Sequence, residues 1–292
     1  MFRGTFTALV TPFREDGIDF PALEKLLEAQ FAGGVTGVVA VGTTGESPTV
    51  THDERESVIR KCVELGKGRG MVLAGTGSYS TRDAIEATKR AEQLGVNGAL
   101  VVSPYYNKPS QEGLFRHFKA IADSTSIPIM LYNIPGRCGV DVGANTVVRL
   151  AEACRNIVSI KEASGSVERV SELRGRLPET FTILSGDDSL TLPFMAVGAA
   201  GVVSVASNLI PSDICALVLA FDRGDAAAAE KLHRRMFPLL KDLFIEPNPV
   251  PVKTALHWRG VMSSACRLPL CEMTEANQAR LRQTIEAFEQ SR

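Results

Sequence analysis

The chain has 292 residues, of which 45% are hydrophobic and 22% charged, so it carries enough apolar material for one large domain or two ordinary ones. Its formal net charge is −1 and its lysines and arginines are dispersed, which gives no electrostatic footprint for nucleic acid or an anionic membrane surface. Six cysteines (Cys62, Cys138, Cys154, Cys215, Cys266, Cys271) form no C-x-x-C pair and no zinc-spaced Cys/His cluster.

Short β-type runs alternate with amphipathic stretches along the chain. Strands are expected at 6–10, 37–41, 71–74, 98–102, 127–131, 157–160, 182–184 and 201–205. Helical patterns follow them at 20–32, 53–65, 81–94, 111–124, 144–153, 167–174, 189–197 and 211–221. Apolar strands separated by helices mean a parallel sheet covered on its outer face. Eight such units in this length fit a closed (β/α)8 TIM barrel better than a doubly wound sheet, and no G-x-G-x-x-G follows the first strand. Past residue 224 the pattern becomes three helices, 225–240, 251–262 and 274–290. The expected organisation is a catalytic barrel over 1–224 and a C-terminal helical extension over 225–292 packed on it. Pro247-Asn248-Pro249-Val250-Pro251 reads as a rigid loop within the extension. Residues 1–5 lack the apolar core of a secretion signal, and the longest uncharged stretch, 189–212, is broken by Pro193, Asn208 and Pro211. With scattered cysteines, this makes a reducing cytoplasmic compartment the expectation.

In such a barrel the C-terminal ends of the strands form the active-site face. The stretch Ile157-Val158-Ser159-Ile160-Lys161 delivers a lysine where an apolar run ends. Such a lysine reads either as a strand end pointing to water or as a desolvated amine whose lowered pKa suits imine chemistry. After the second strand, Gly42-Thr43-Thr44-Gly45-Glu46-Ser47 offers hydroxyls and successive amides for a carboxylate. After the fourth, Ser103-Pro104-Tyr105-Tyr106-Asn107-Lys108-Pro109 carries two of the four tyrosines, one of which can serve packing alone. The fifth is followed by Tyr132, able to relay a proton, and Arg137, a planar fork suited to a second carboxylate. Asp187 and Asp188 read as helix caps rather than acid catalysts. His52, His117, His233 and His257 lie on expected helices, and none is assigned to catalysis.

These motifs, together with Lys161-Glu162-Ala163-Ser164, resemble the dihydrodipicolinate synthase and N-acetylneuraminate lyase family of class I pyruvate aldolases, from about Phe6 to the C-terminus. Arg137, the tract Ser103–Gly113 and the tract Pro247–Lys253 are most similar to the branch that condenses pyruvate with L-aspartate 4-semialdehyde in diaminopimelate and lysine biosynthesis. The resemblance implies that Lys161 forms the imine with pyruvate and that Thr44 holds its carboxylate. It implies a proton relay of Tyr132, Thr43 and Tyr106, with Tyr106 donated across a tight dimer within a homotetramer. It gives Arg137 to the semialdehyde carboxylate and places Gly186 and Val203 in the pocket lining. No metal and no organic cofactor is implied. The alternative acceptors are a 2-oxo sugar acid, N-acetylneuraminate or 4-hydroxy-2-oxoglutarate; a non-catalytic barrel would not need Lys161, Tyr132, Thr43 and Tyr106 together. The resemblance also carries over a possible allosteric lysine site at Ser47, Pro48, His52, Arg55, Tyr79, Asp83 and Tyr105. Arg55, Tyr79 and Asp83 depart from the lysine-sensitive pattern, so weak or absent lysine inhibition is expected.

Overall fold

The computed structural model describes residues 2–15 and 17–291. Eight parallel strands close a barrel: β1 (Gly4–Ala8), β2 (Gly37–Ala40), β3 (Met71–Gly75), β4 (Gly98–Val102), β5 (Ile129–Asn133), β6 (Ile157–Glu162), β7 (Thr182–Ser185) and β8 (Gly201–Ser204). Each pairs with its sequence neighbours, and β1 closes the ring on β8 through Phe6↔Val203 and on β2 through Phe6↔Gly37. All four residues of β2, β7 and β8 are buried, because interior side chains fill one face and helices cover the other. Glycine is required where strands crowd: a Cβ on Gly37 would lie 2.5 Å from the Met71 carbonyl and 2.8 Å from the Phe6 ring.

Helices connect the strands, each started by local chemistry. Thr51 begins His52–Gly66 with a capping box, accepting from the Glu54 amide at 3.3 Å while the Glu54 carboxylate accepts from the Thr51 amide at 2.9 Å. The helices at Phe20–Ala32 and Ala144–Ala153 match the expected spans.

Four departures are informative. The fifth strand lies two residues later than the expected 127–131, because Pro128 has no amide and the ladder starts from the Ile129 N–H, which donates to the Asn156 carbonyl at 2.7 Å. Tyr132 and Asn133 are therefore inside it. The sixth strand does not stop at 160: it runs through Lys161 to Glu162, paired as Tyr132↔Lys161 and Asn133↔Glu162. The continuation is stable because the buried Glu162 carboxylate accepts from Asn133 Nδ2 (3.1 Å), the Ser164 amide (2.8 Å) and Arg169 Nε (2.7 Å). The helix expected at 189–197 divides into a single turn at Asp188–Leu190 and a helix at Thr191–Ala196. The helix expected at 251–262 is Val250–Trp258, which gives way to Gly260 at φ 67.

The last three helices are Ala226–Asp242, Val250–Trp258 and Glu275–Gln290. Ala226–Asp242 packs on the helix Pro211–Asp222 and on Glu275–Gln290. Lys253 joins this segment to the barrel mouth: its ammonium meets Glu46 Oε1 at 2.6 Å and the Thr11 carbonyl at 3.0 Å, with both ionic side chains inaccessible to solvent. Arg267 adds a second tie, donating its amide to Glu46 Oε2 at 3.0 Å and its guanidinium to Glu54. Among the described residues no helix is long and apolar enough to cross a membrane.

Candidate active site

The C-terminal end of the barrel gathers the groups picked out from the sequence. Lys161 and Tyr132 are register partners on adjacent strands, and the lysine ammonium lies 4.3 Å from the centre of the tyrosine ring. Glu162, the next residue, reaches out to Arg169 on the helix Val167–Arg176, so strand alternation turns Lys161 inward. Only 5% of Lys161 is exposed. Burial brings its pKa down to about 8; Asp188 opposes that shift and Arg137 adds to it. Roughly a tenth of the amine is thus neutral and nucleophilic at pH 7, far more than for an ordinary lysine.

Burial also pushes the Tyr132 phenol above its ordinary pKa, against the pull of the Arg137 charge and a hydrogen bond with Thr43. The phenol stays protonated and can lend and recover a proton. Thr43 and Tyr132 share a small cavity with Val41, Gly42 and Ser47. Thr44, which is 3% exposed, accepts at Oγ1 from Asn248 Nδ2 at 3.0 Å. Arg137 sits in a turn of helix at Pro135–Cys138, exposed, with one nitrogen 3.4 Å from the Asn248 carbonyl. Gly186 follows β7 and packs on the lysine: a Cβ there would be 3.0 Å from Lys161 Cε, 3.1 Å from Cγ and 2.7 Å from Ala163 Cβ. Val203, on β8, is buried.

Strain collects in the same loops. The four non-glycine residues with positive φ among those described are Val41 (52°), Glu46 (54°), Tyr106 (73°) and Lys108 (43°), all in the two loops that follow β2 and β4. A β-branched residue such as Val41 adopts this conformation only where its surroundings impose it. The loop after β2 is tied down at Glu46 by the buried Lys253 ammonium and at Gly45 by the Thr11 hydroxyl, which donates to its carbonyl at 2.7 Å.

Several of the expected site residues are not among those packed around the lysine. Tyr106 is 91% exposed. Its neighbour Tyr105 packs edge-on against Tyr79, ring centres 5.3 Å apart. His52, Arg55 and Asp83 line a groove between the helices His52–Gly66 and Thr81–Gln93. Arg55 is committed to backbone, donating to the Gly75 carbonyl at 2.9 Å and the Ser47 carbonyl at 3.4 Å. It therefore joins the groove to the wall of the cavity shared by Thr43 and Tyr132.

Asp187 is a cap, accepting from the Ser189 amide at 2.8 Å. Asp188 is not a cap of its own turn: its buried carboxylate reaches β8, accepting from the Ser204 hydroxyl and from the Val205 and Ala206 amides at 2.9 and 3.1 Å. Sequence reasoning also passed over Asn248, Glu46 and Lys253. No local pattern signals Asn248, whose partner Thr44 is 204 positions away; a lysine inside the largely apolar Val250–Leu256 run was the available hint for the ion pair. Among the described residues no three His, Cys, Asp or Glu side chains are grouped to hold a metal ion.

Comparison with known proteins agrees with this geometry. The model of the dihydrodipicolinate synthetase family matches residues 1–288. The 4-hydroxy-tetrahydrodipicolinate synthase of Endomicrobium trichonymphae is 50% identical over 288 residues, 99% of each chain. The solved structure of the 4-hydroxy-tetrahydrodipicolinate synthase from the methanotroph Methylacidiphilum fumariolicum SolV superposes with a TM-score of 0.98 at 54% identity, covering 99% of this chain and 97% of that one. Dihydrodipicolinate synthase from Aquifex aeolicus gives 0.97 at 46% identity, covering 99% and 98%. With its barrel, its buried strand-end lysine and these full-length matches, the chain belongs to the dihydrodipicolinate synthetase family.

Proposed function

We propose that the chain condenses pyruvate with L-aspartate 4-semialdehyde, the activity of a 4-hydroxy-tetrahydrodipicolinate synthase, through an imine on Lys161. The observation that carries the reading is the buried, partly neutral Lys161 amine held against the Tyr132 ring. The amine attacks the pyruvate carbonyl, and Tyr132, protonated and linked to Thr43, supplies and retrieves the protons needed to lose water. Thr44 and the neighbouring amides receive the pyruvate carboxylate. Loss of a methyl proton gives an enamine that attacks the aldehyde, whose carboxylate pairs with Arg137. The semialdehyde amine then displaces Lys161 as the ring closes. Gly186 and Val203 line the pocket, and the chemistry draws on no metal or organic cofactor.

Tyr106 is fully presented to its surroundings in a strained loop, which suits a side chain that completes the site of a second subunit, within a dimer of dimers in the cytoplasm. Lysine is expected to inhibit weakly or not at all. The Arg55 guanidinium, held on the Gly75 and Ser47 carbonyls, repels an ammonium, and Tyr79 occupies space beside Tyr105. Arg137 favours the semialdehyde over the sugar-acid alternatives, since a polyol makes less use of a guanidinium.

The test is borohydride reduction in the presence of pyruvate, which should add one pyruvate-derived group to Lys161 and none to a Lys161→Ala variant. An adduct on another lysine removes the site assignment. Faster turnover of N-acetylneuraminate or a keto-deoxy sugar acid than of pyruvate with aspartate semialdehyde overturns the substrate assignment. An IC50 for lysine well below a millimolar overturns the expected insensitivity.

A further inference from the structure

Arg137 has a specific duty in the proposed reaction, yet its side chain is loosely held. It is exposed, and its bond to the Asn248 carbonyl, at 3.4 Å, is long for a guanidinium. Its position therefore depends on the backbone that presents it. That backbone is a short excursion: the chain leaves β5 at Asn133, makes the helical turn Pro135–Cys138, and is tied back to the strand at Asp141. The turn closes on itself, with the Ile134 carbonyl accepting from the Arg137 and Cys138 amides at 3.0 Å.

What fixes this turn relative to the lysine is the base of the excursion. Asn133 Nδ2 donates to Asp141 Oδ1 at 2.7 Å, across eight positions, and Asn133 Oδ1 accepts from the Val142 amide at 3.0 Å. Asn133 is also the register partner of Glu162, whose two carboxylate oxygens each lie 3.1 Å from the same Nδ2. Glu162 follows Lys161 directly, so strand alternation puts this cluster on the outer side of the barrel wall, behind the pocket. Arg169 closes the bracket from its helix. Its Nε donates to Glu162 at 2.7 Å, one terminal nitrogen to Asp141 Oδ2 at 3.2 Å, and the other to the Val142 carbonyl. An unbroken set of bonds thus runs from the strand of the nucleophile to the loop of the arginine.

Burial explains part of the cluster without reference to function. Glu162 is inaccessible to solvent, so its charge needs Asn133, Arg169 and the Ser164 amide. Asp141 is different. Its side chain is 47% exposed and water could serve it, yet both its oxygens are committed to the base of the Arg137 excursion.

We propose that Asp141 is a positioning residue for Arg137: with Asn133 and Arg169 it pins the base of the excursion and so sets the distance from the semialdehyde carboxylate to the Lys161 imine. The inference rests on the function proposed above. A pinned base orders the guanidinium before the substrate arrives, so binding does not have to supply that ordering.

In the full-length enzyme, Asp141→Ala frees the base and leaves the Glu162 bonds to Asn133, Ser164 and Arg169 in place. The KM for aspartate semialdehyde should rise about tenfold with a smaller fall in kcat, while borohydride trapping with pyruvate alone stays within about twofold of wild type. Asp141→Asn, whose oxygen can still accept from Asn133, should show a smaller rise, and it carries the test should the alanine variant fail to fold. In an Arg137→Ala background Asp141→Ala should add little, because both changes act through one group. A wild type that does not turn over the semialdehyde, or an Arg137→Ala variant with an unchanged semialdehyde KM, overturns the substrate reading and this proposal with it. With Arg137→Ala impaired, a wild-type semialdehyde KM in the Asp141 variants overturns the positioning role alone. Equal losses in pyruvate trapping and semialdehyde KM, or effects that multiply fully with Arg137→Ala, do the same, since an aspartate that merely stabilises the fold would not single out one substrate.

Discussion

Replacing Gly186 with alanine adds one carbon at the most crowded point of the site. Its Cβ would stand 3.0 Å from Lys161 Cε, 3.1 Å from Lys161 Cγ and 2.7 Å from Ala163 Cβ. Comfortable carbon contacts are about 3.5–4.0 Å, so the lysine arm has to move by roughly 0.5–1 Å or β7 has to retreat by as much. Overpacking of this kind costs about 1–3 kcal/mol of stability. A shift of about 1 Å in a reacting group costs on the order of a hundredfold in rate. The expected result is a kcat for condensation lowered about tenfold to a hundredfold, with borohydride trapping slowed in parallel and a folded protein whose Tm falls by several degrees. Steady-state condensation, mass analysis of the trapped adduct and thermal melts measure the three. Activity within threefold of wild type, with an unchanged melt, would refute the claim that Gly186 seats the lysine arm.

Three further outcomes follow from the geometry. Lys253→Met leaves Glu46 buried without its cation and should cost about 3–5 kcal/mol, whereas the double variant with Glu46→Gln should recover much of that loss; denaturant melts of the four proteins measure the cycle, and additive losses would contradict a coupled pair. Asn248→Ala removes the donor to Thr44 Oγ1 and should raise KM for pyruvate about fivefold to tenfold, roughly the worth of one hydrogen bond, with a smaller change for the semialdehyde; equal changes in both would argue for a general collapse of the mouth. Burial holds the His117 imidazole down from 6.5 to about 4, with its Nδ1 2.9 Å from the Thr81 hydroxyl. The unfolded chain therefore binds an extra proton across that window, so this residue's share of stability is intact above pH 6.5 and falls as pH drops toward 4, by up to about 3 kcal/mol. Stability of wild type relative to His117→Gln, followed from pH 7 to 4, should show the decline; parallel curves would exclude it.

How much of this was legible beforehand depends on where each signal sits along the chain. Continuous apolar runs at regular intervals report β1–β8 well, because a strand buried on both faces has little choice of residue. Strand ends were less legible. Lys161 and Glu162 look like the end of a strand by polarity, yet both are inside it, since buried polar groups that find partners cost little. Lys161, Tyr132 and the Thr43 loop could be anticipated from local pattern and topology together, Gly186 only from the family resemblance, and the structure brings the four close together. Asn248 and Lys253 could not be placed that way: their partners Thr44 and Glu46 lie 204 and 207 positions away, and only the packed extension brings them together. Asp188 shows another gap, because an aspartate before a helical turn ordinarily caps it, and only the closeness of β8 redirects the side chain.

The Glu46–Lys253 contact also bears on the order in which the molecule can be made. A chain leaving the ribosome presents its N-terminal half first, so β2 and the loop at 42–47 emerge long before residue 253. Until the helix Val250–Trp258 arrives, the Glu46 carboxylate has neither its ammonium nor the Arg267 amide, and burying it alone is too costly for the loop to close. The strained backbone at Val41 and Glu46 is then not held, and Thr44 has no Asn248 to meet. The eight strands can associate earlier, but the pyruvate-facing loop takes its final shape only when the last quarter of the chain docks. Catalytic competence in this molecule is a late event of folding, set by its C-terminus.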